Sequence, residues 1–131
     1  GMRRSITEEQ VEGNLRYRPF HEKSFIDDLA SARAVIAGGG FTLMGEAVYL
    51  HKPMLGVPVR HQFEQVMNVR YLQYLGFGRA AASLEEPAVI LDFLRDVPRF
   101  EEKLAAYHQD GNQELFGTID TLLDRAAAGV L

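Results

Sequence analysis

The sequence contains no cysteine. That absence excludes disulfide bonds, thiolate nucleophiles and metal sites with thiolate ligands. No apolar run approaches the roughly 20 residues that a membrane-spanning helix needs, so we expect no membrane span and a cytoplasmic location. No Asp-x-Asp motif occurs, and the four histidines lack the spacing of metal ligands. We therefore expect neither a metal ion nor another cofactor.

Positive charge is also scarce. The formal net charge is -4 and the isoelectric point is near 5.5. The one local basic cluster, at positions 3, 4, 16 and 18, lacks a nucleic-acid-binding motif, so we expect no nucleic-acid partner. With 131 residues, 47% of them hydrophobic, the chain is expected to form a single domain over residues 1–131.

The first half of the sequence alternates between strand and helix patterns. Residues 14–20 alternate apolar and polar side chains, which predicts a strand, and Ser24 predicts the N-cap of a short helix that ends at Ser31. Residues 34–37 form a short apolar run, which is typical of a strand buried on both faces. Three glycines at 38–40 end that run.

The same alternation continues to about residue 82. We predict a helix over 42–50, a strand over 53–59, a helix over 63–75 capped by Gly76, and a short strand over 77–82. Such alternation predicts right-handed crossovers and a parallel, doubly wound sheet. Ligands of these sheets bind outside the carboxyl ends of the strands.

The C-terminal part, residues 86–128, is predicted to be a helical tail with a break near Pro98. Its last segment is amphipathic, with an apolar stripe formed by Leu115, Phe116, Ile119, Leu122, Leu123 and Ala126. The predicted fold class is thus α/β: a partial doubly wound, Rossmann-like parallel sheet with flanking helices and a helical C-terminus.

A glycine-rich loop at 38–40 lies where a predicted buried strand passes into a helix. Glycines followed by the N-terminal amides of a helix suit a bound phosphate, and Gly39, Gly40, Phe41 and Thr42 are the candidate residues. A tight turn or close packing would also require glycine, and both interpretations stand. Leu43 occupies the place of a third glycine and no lysine follows, so the loop matches neither a dinucleotide fingerprint nor a Walker loop.

Polar side chains follow both predicted strands. Glu46 is placed one turn into the helix, where its carboxylate could reach a ribose diol, or could simply complement the helix dipole. His61, Glu64 and Gln65 follow the next strand and could bind sugar hydroxyls, although capping by Gln62 or Glu64 is the simpler alternative.

Four segments between Leu15 and Gly78, in a fixed order, carry a resemblance to a known family. They are Arg-Pro-Phe-His at 18–21, Ile-Ala-Gly-Gly-Gly-Phe-Thr-Leu-Met-Gly-Glu-Ala at 36–47, Lys-Pro-Met-Leu-Gly-Val-Pro at 52–58 and Gln-Phe-Glu-Gln-Val-Met-Asn at 62–68. This region, residues 15–78, resembles the C-terminal region of GT-B glycosyltransferases, such as the UDP-glucuronosyl and glucosyl transferases and the bacterial N-acetylglucosaminyltransferase that makes lipid II.

The resemblance implies roles for individual residues. It places the base of a UDP-sugar beside Phe20 and His21, the diphosphate on the glycine loop and helix start, and the ribose on Glu46. Glu64 and Gln65 match the acidic-Gln pair that contacts the donor sugar, and Asn68 matches a structural member of the same motif. The sequence departs from the family at Gly38, where plant-type members carry histidine, and at Glu64, where aspartate is commoner.

The sequence therefore predicts the donor-binding part of a glycosyltransferase, with a UDP-sugar as substrate. The resemblance implies that the acceptor site and the catalytic base belong to an N-terminal domain absent here, so no catalytic residue is assigned and the enzyme activity of the chain stays open. We expect an exposed sheet edge and pairing with a second copy or an acceptor-binding subunit. The alternatives are a noncatalytic remnant that serves oligomerisation or partner binding, and an NADP binder with Arg60 on the 2'-phosphate.

Overall fold

The computed structural model describes residues 6–19, 21–109 and 111–130. The chain starts with an antiparallel hairpin of two short strands, β1 (Gln10–Glu12) and β2 (Leu15–Tyr17), joined through Gly13 at a φ of 59°. The β2 strand was predicted. The β1 strand was not predicted. Its three residues are all exposed, so the sequence shows no apolar side chains on one face of a strand.

The main sheet has three parallel strands in the order β3 (Val35–Ala37), β4 (Met54–Gly56) and β5 (Gly78–Ala80). Two helices provide the crossovers, α2 (Phe41–Tyr49) and α3 (Phe63–Leu75). This arrangement confirms the predicted α/β class and the partial Rossmann-like sheet. Each strand is shorter than predicted, since only three residues of each make regular pairs.

Helix α1 (Glu22–Ser31) begins earlier than predicted. Its N-cap is His21 rather than Ser24, because the His21 ring nitrogen Nδ1 accepts a hydrogen bond from the Ser24 backbone N–H at 3.4 Å. The assignment of Ser24 as the cap was therefore wrong. Serine is the commoner cap, but its place here is inside the first turn.

Helix α4 (Pro87–Ala105) is continuous through Pro98, so the predicted break near that residue was wrong. Proline removes one helical hydrogen bond and crowds the preceding turn. Phe93, Val97 and Phe100 are buried on both sides of Pro98 and pack the helix against the sheet. Tertiary packing thus outweighs the local preference.

The central strand β4 anchors the core on both of its faces. Met54 and Leu55 are fully buried, and consecutive strand residues point to opposite faces. Met54 belongs to a cluster of buried residues that includes side chains from α2, α3 and α4, whereas the buried partners of Leu55 come from α4. The members of the first cluster are Met44, Ala47, Met54, Leu72, Phe77 and Leu104. The two buried clusters of the fold therefore meet at β4, one through Met54 and the other through Leu55.

The β3 strand lies at an edge of the sheet and is not buried on both faces, contrary to the prediction. Ile36 is 44% exposed, while Val35 and Ala37 are half-buried. A continuous apolar run was the basis of the prediction, but full burial also requires a neighbouring strand on each side.

Helix α5 (Gln113–Ala127) confirms the predicted amphipathic segment, yet none of its residues is buried. Its apolar stripe is between 41% and 62% exposed, as measured at Leu115, Phe116, Ile119, Leu122 and Leu123. Within the described ranges, no helix combines the length and apolar character needed to cross a membrane.

Candidate functional site

Two loops lie side by side at the carboxyl ends of β3 and β4. The glycine loop, residues 38–40, joins β3 to α2, and a second loop, residues 57–62, joins β4 to α3. The Val57 N–H donates a hydrogen bond to the Ala37 carbonyl at 2.8 Å, so the loops separate only after the parallel pairing ends. The sheet therefore brings the predicted polar residues of both crossovers to one edge.

Gly39 is buried against helix α3. Its N–H donates to Gln65 Oε1 at 3.2 Å, and its carbonyl accepts from Asn68 Nδ2 at 3.0 Å. A Cβ atom at position 39 would lie 2.5 Å from the Gln65 carbonyl oxygen and 2.8 Å from Val69 Cγ1. Glycine is thus required at this position for close packing, one of the two interpretations that the sequence left open.

Gly40 is different, because a Cβ atom there would meet nothing within 4 Å. It is the N-cap of α2, with φ -64° and ψ 133°, and no side chain caps the helix there. The first hydrogen bond of the helix runs from the Met44 N–H to the Gly40 carbonyl at 3.2 Å. The preceding amides, those of Phe41 and Thr42 among them, have no carbonyl within the helix, and the helix dipole makes this end positive.

Glu46 lies one turn beyond Thr42 on the same side of α2 and is half-buried. Among the residues that the structure describes, none forms a hydrogen bond or ion pair with its carboxylate. The helix dipole acts mainly on charges in the first turn, and Glu46 lies in the second, so the dipole gives only a weak account of this residue.

Gln65 joins the two loops through a single atom. Its Oε1 accepts from the Gly39 N–H at 3.2 Å and from the Val59 N–H at 3.0 Å. Its Nε2 lies 3.4 Å from Gln62 Oε1, a long contact. The side chain is half-buried, and its oxygen is already occupied by backbone donors.

The other two predicted site residues after β4, His61 and Glu64, are exposed. Glu64 lies in the first turn of α3, and His61 has a left-handed backbone with a φ of 63°. Gln62 is the N-cap by position, but its side chain makes no capping hydrogen bond, so the capping alternative fails for that residue. The side chains of both His61 and Glu64 are exposed at the start of α3 or in the loop before it.

His21, one of the two predicted base-binding residues, does not share a cavity with the glycine loop. His21 caps α1 and contributes to a cavity of about 480 Å³ that no residue of the glycine loop lines. The same cavity includes Arg18, which is held by ion pairs with Asp28 and with Glu9, the latter at 3.3 Å. Phe20 lies outside the described residues.

Asn68 is the residue that sequence reasoning did not assign to the site. The resemblance marked it only as a structural member of the motif, whereas the structure shows it bound to the glycine loop. Its spacing of three residues from Gln65 places both amides on one side of α3. In the described part of the chain, no group of three or more His, Asp or Glu side chains could hold a metal ion.

A model of glycosyl transferase family 1 matches residues 1–98, which cover the hairpin, the parallel sheet and most of α4. The chain belongs to this family. The match confirms the resemblance to glycosyltransferases that the four segments indicated, and the parallel sheet with the glycine loop at its carboxyl edge agrees with it.

Two curated relatives are similar to this family 1 chain, and both are named as uncharacterized glycosyltransferases. The one from Methanosarcina acetivorans is 31% identical over 110 residues, which are 84% of this chain and 28% of the relative. The one from Methanosarcina mazei is 36% identical over 69 residues, 53% of this chain and 18% of the relative. The matched region thus spans less than a third of either relative's length.

Proposed function

We propose that this chain holds the nucleoside diphosphate part of a UDP-type sugar donor in a glycosyltransferase reaction. The observation that carries the proposal is the open helix start at Gly40, followed one turn later by Glu46, whose carboxylate pairs with no residue in the described ranges. A helix N-terminus attracts phosphate, and a carboxylate accepts hydrogen bonds from the two hydroxyls of a ribose. Membership of glycosyl transferase family 1 supports a nucleotide sugar as the ligand.

The proposal assigns a role to each part of the site. The amides of Gly40, Phe41 and Thr42 bind the diphosphate, and Glu46 binds the ribose. Gly39 supplies the close packing that fixes this loop, since both of its backbone groups are held by α3.

The proposal gives the remaining predicted residues roles beside the sugar and the base. Glu64, His61 and the Nε2 of Gln65 are proposed to contact the sugar, because they lie at the start of the neighbouring helix or in the loop before it. Phe20 and His21 keep their proposed role beside the base.

The chemistry of the site concerns the leaving group. In sugar transfer the bond from the anomeric carbon to the diphosphate oxygen breaks, and its electron pair leaves with the UDP. The positive end of α2 stabilises this developing charge. The acceptor oxygen forms the new bond and loses its proton to a base, and we propose that the acceptor site and this base come from a partner.

Two exposed apolar surfaces support the proposal of a partner. The open edge of β3 adjoins a groove of about 630 Å³ lined by Phe25, Leu29, Ile36 and Leu43, among others. The apolar stripe of α5 is the second surface. Edges and patches of this kind favour association, either with a second copy or with an acceptor-binding subunit.

Calorimetric titration tests the donor site directly. We expect UDP and UDP-sugars to bind the full chain, and Glu46→Gln to lose about 1–3 kcal/mol of binding free energy, the value typical of hydrogen bonds to a charged group. Glu102→Gln is the control, since Glu102 is an exposed carboxylate on α4 far along the chain from the glycine loop. Equal UDP affinity in the Glu46 variant and the control would refute the ribose assignment.

The same titration separates the alternatives. A chain that binds neither UDP nor NADP but assembles in solution would be a noncatalytic remnant. Preference for NADP over UDP would assign Arg60, an exposed residue of the loop after β4, to a 2'-phosphate. Binding of UDP, preference for NADP and binding of neither nucleotide are three distinct results, and each supports one of the three functions against the other two.

A further inference from the structure

The peptide bond between Gly39 and Gly40 joins two residues without side chains. Such a unit rotates easily, because neither neighbour has a Cβ atom to restrict its backbone torsions. In a trans peptide the carbonyl of one residue and the N–H of the next point in opposite directions. Rotation of this unit would therefore exchange an N–H for a carbonyl on the open side of the loop.

Helix α3 holds this unit in one of its two orientations. Asn68 Nδ2 donates to the Gly39 carbonyl at 3.0 Å, which directs that carbonyl toward α3. The N–H of Gly40 must then point away from α3. The residue itself is exposed, and a Cβ atom there would meet no neighbour within 4 Å.

Gln65 fixes the preceding peptide in the same way. Its Oε1 accepts from the Gly39 N–H, and it also holds the Val59 N–H of the neighbouring loop. Both polar groups of Gly39 are thus bound by two side chains that are three residues apart on one helix. The contact is close, since the Gln65 carbonyl lies 2.5 Å from where a Cβ atom of residue 39 would be.

We propose that Asn68 and Gln65 are positioning residues that lock the Gly39–Gly40 peptide with its N–H facing the diphosphate. The inference rests on the proposed function for the identity of the ligand. It adds that the amide array at the start of α2 is oriented by the helix of the following crossover. Without the lock, a carbonyl oxygen would face the phosphate and repel it.

The test compares Asn68→Ala with a matched control on the same helix. Gln73 Oε1 accepts from the Ala80 N–H at 2.8 Å, so Gln73→Ala also removes a side-chain amide that binds backbone, but at the other end of α3. In the unliganded chain, Asn68→Ala is expected to shift the amide nitrogen resonance of Gly40, and Gln73→Ala is not. An unchanged Gly40 resonance in Asn68→Ala would refute the proposal that Asn68 fixes the orientation of the Gly39–Gly40 peptide.

Ligand binding gives the second measurement. Asn68→Ala should weaken UDP binding about tenfold, the effect of one hydrogen bond to a charged group, and leave uridine binding unchanged, because the lock acts on the phosphates alone. Parallel losses for UDP and uridine would show a general structural role and overturn the proposal.

The two proposals can fail separately. Absence of UDP binding to the unaltered chain would refute the donor site, while the Gly40 resonance still decides the lock. If Asn68→Ala does not fold, Asn68→Asp keeps the shape of the side chain and replaces the donor with an acceptor. We expect that variant to shift the Gly40 resonance as well, and an unchanged resonance would overturn the lock.

Discussion

Replacing Gly39 with alanine adds one methyl group at the contact between the glycine loop and helix α3. The new Cβ atom would lie 2.5 Å from the backbone oxygen of Gln65 and 2.8 Å from Val69 Cγ1, whereas ordinary contacts start at 3.4 Å. A side chain could rotate away, but the Gln65 oxygen is part of the helix backbone. The loop and the helix must therefore separate by about an ångström, which strains the packing.

The expected cost follows from two opposing effects. Overpacking of this kind costs about 1–3 kcal/mol, and alanine recovers about 0.4–1 kcal/mol by restricting the unfolded chain. The difference between these two ranges is about 0–2.6 kcal/mol, and we expect Gly39→Ala to lower the free energy of unfolding by a value near its middle, about 1.3 kcal/mol. The hydrogen bond that the Gly39 N–H donates to Gln65 and the one that the Gly39 carbonyl accepts from Asn68 would lengthen as well, since the same separation stretches them.

Gly40→Ala is the control in the same loop. No atom lies within 4 Å of a Cβ atom there, and the φ of -64° and ψ of 133° suit alanine. Loss of a glycine N-cap and the gain from a stiffer chain nearly cancel, so its stability should stay within about 1 kcal/mol of the unaltered chain. Urea unfolding followed by circular dichroism measures both variants, with equal m-values as a check on the comparison. Equal stabilities of the two variants would refute the packing argument.

Three further predictions concern other parts of the molecule. Gly45→Ala should raise the free energy of unfolding by about 0.5–1 kcal/mol in urea titration, because a Cβ atom inside α2 meets nothing there, and a destabilised variant would contradict this. The hydrogen bond from Arg33 lowers the pKa of Glu101, so its stabilising effect is present above the unfolded pKa of Glu101 and is lost as the pH falls through the lower folded value. Arg33→Ala should raise the pKa of Glu101 in an NMR titration, and an unchanged pKa would refute that cause. Leu123→Glu, in the apolar stripe of α5, should lower the sedimentation coefficient of an assembly formed through that helix, whereas unchanged association would exclude the stripe as the interface.

Local signals predicted the crossover helices well. Helix α3 has the predicted bounds, residues 63–75, and Gly76 ends it in the left-handed conformation with a φ of 78°. The C-terminal end depends on a residue next to it in the sequence, the glycine after Leu75. The order of strands and helices followed from the same kind of local pattern.

Features that depend on distant neighbours were predicted less well. The apolar run of β3 indicated burial on both faces, but burial depends on whether a strand lies on each side. Leu75 follows Leu72 at helical spacing, yet Leu75 is 38% exposed and Leu72 only 2%. The continuity of α4 through Pro98 likewise depends on packing against Leu55, which is far away in the sequence.

In the candidate site too, features set by the local sequence were predicted and those set by distant contacts were not. The sequence placed the glycine loop and the polar residues of the next crossover at one edge of the sheet, and the structure brings them there. The amide of Gln65 can bind a sugar hydroxyl or a backbone N–H equally well by its chemistry. Only the distance from Oε1 to the Gly39 N–H, 3.2 Å, shows which group it binds in the unliganded chain.

The missing side chain of Gly39 links the packing of the fold to the geometry of the site. Because no Cβ atom stands in between, α3 approaches the loop closely enough for Gln65 and Asn68 to reach the backbone of Gly39. Those two hydrogen bonds fix the loop before a ligand arrives, so the ordering of these peptides is completed during folding and adds no cost to binding. A helix that begins after β4 thus orients the backbone of the loop that follows β3. The smallest unit able to preserve this geometry must then contain both crossovers, from β3 through the end of α3.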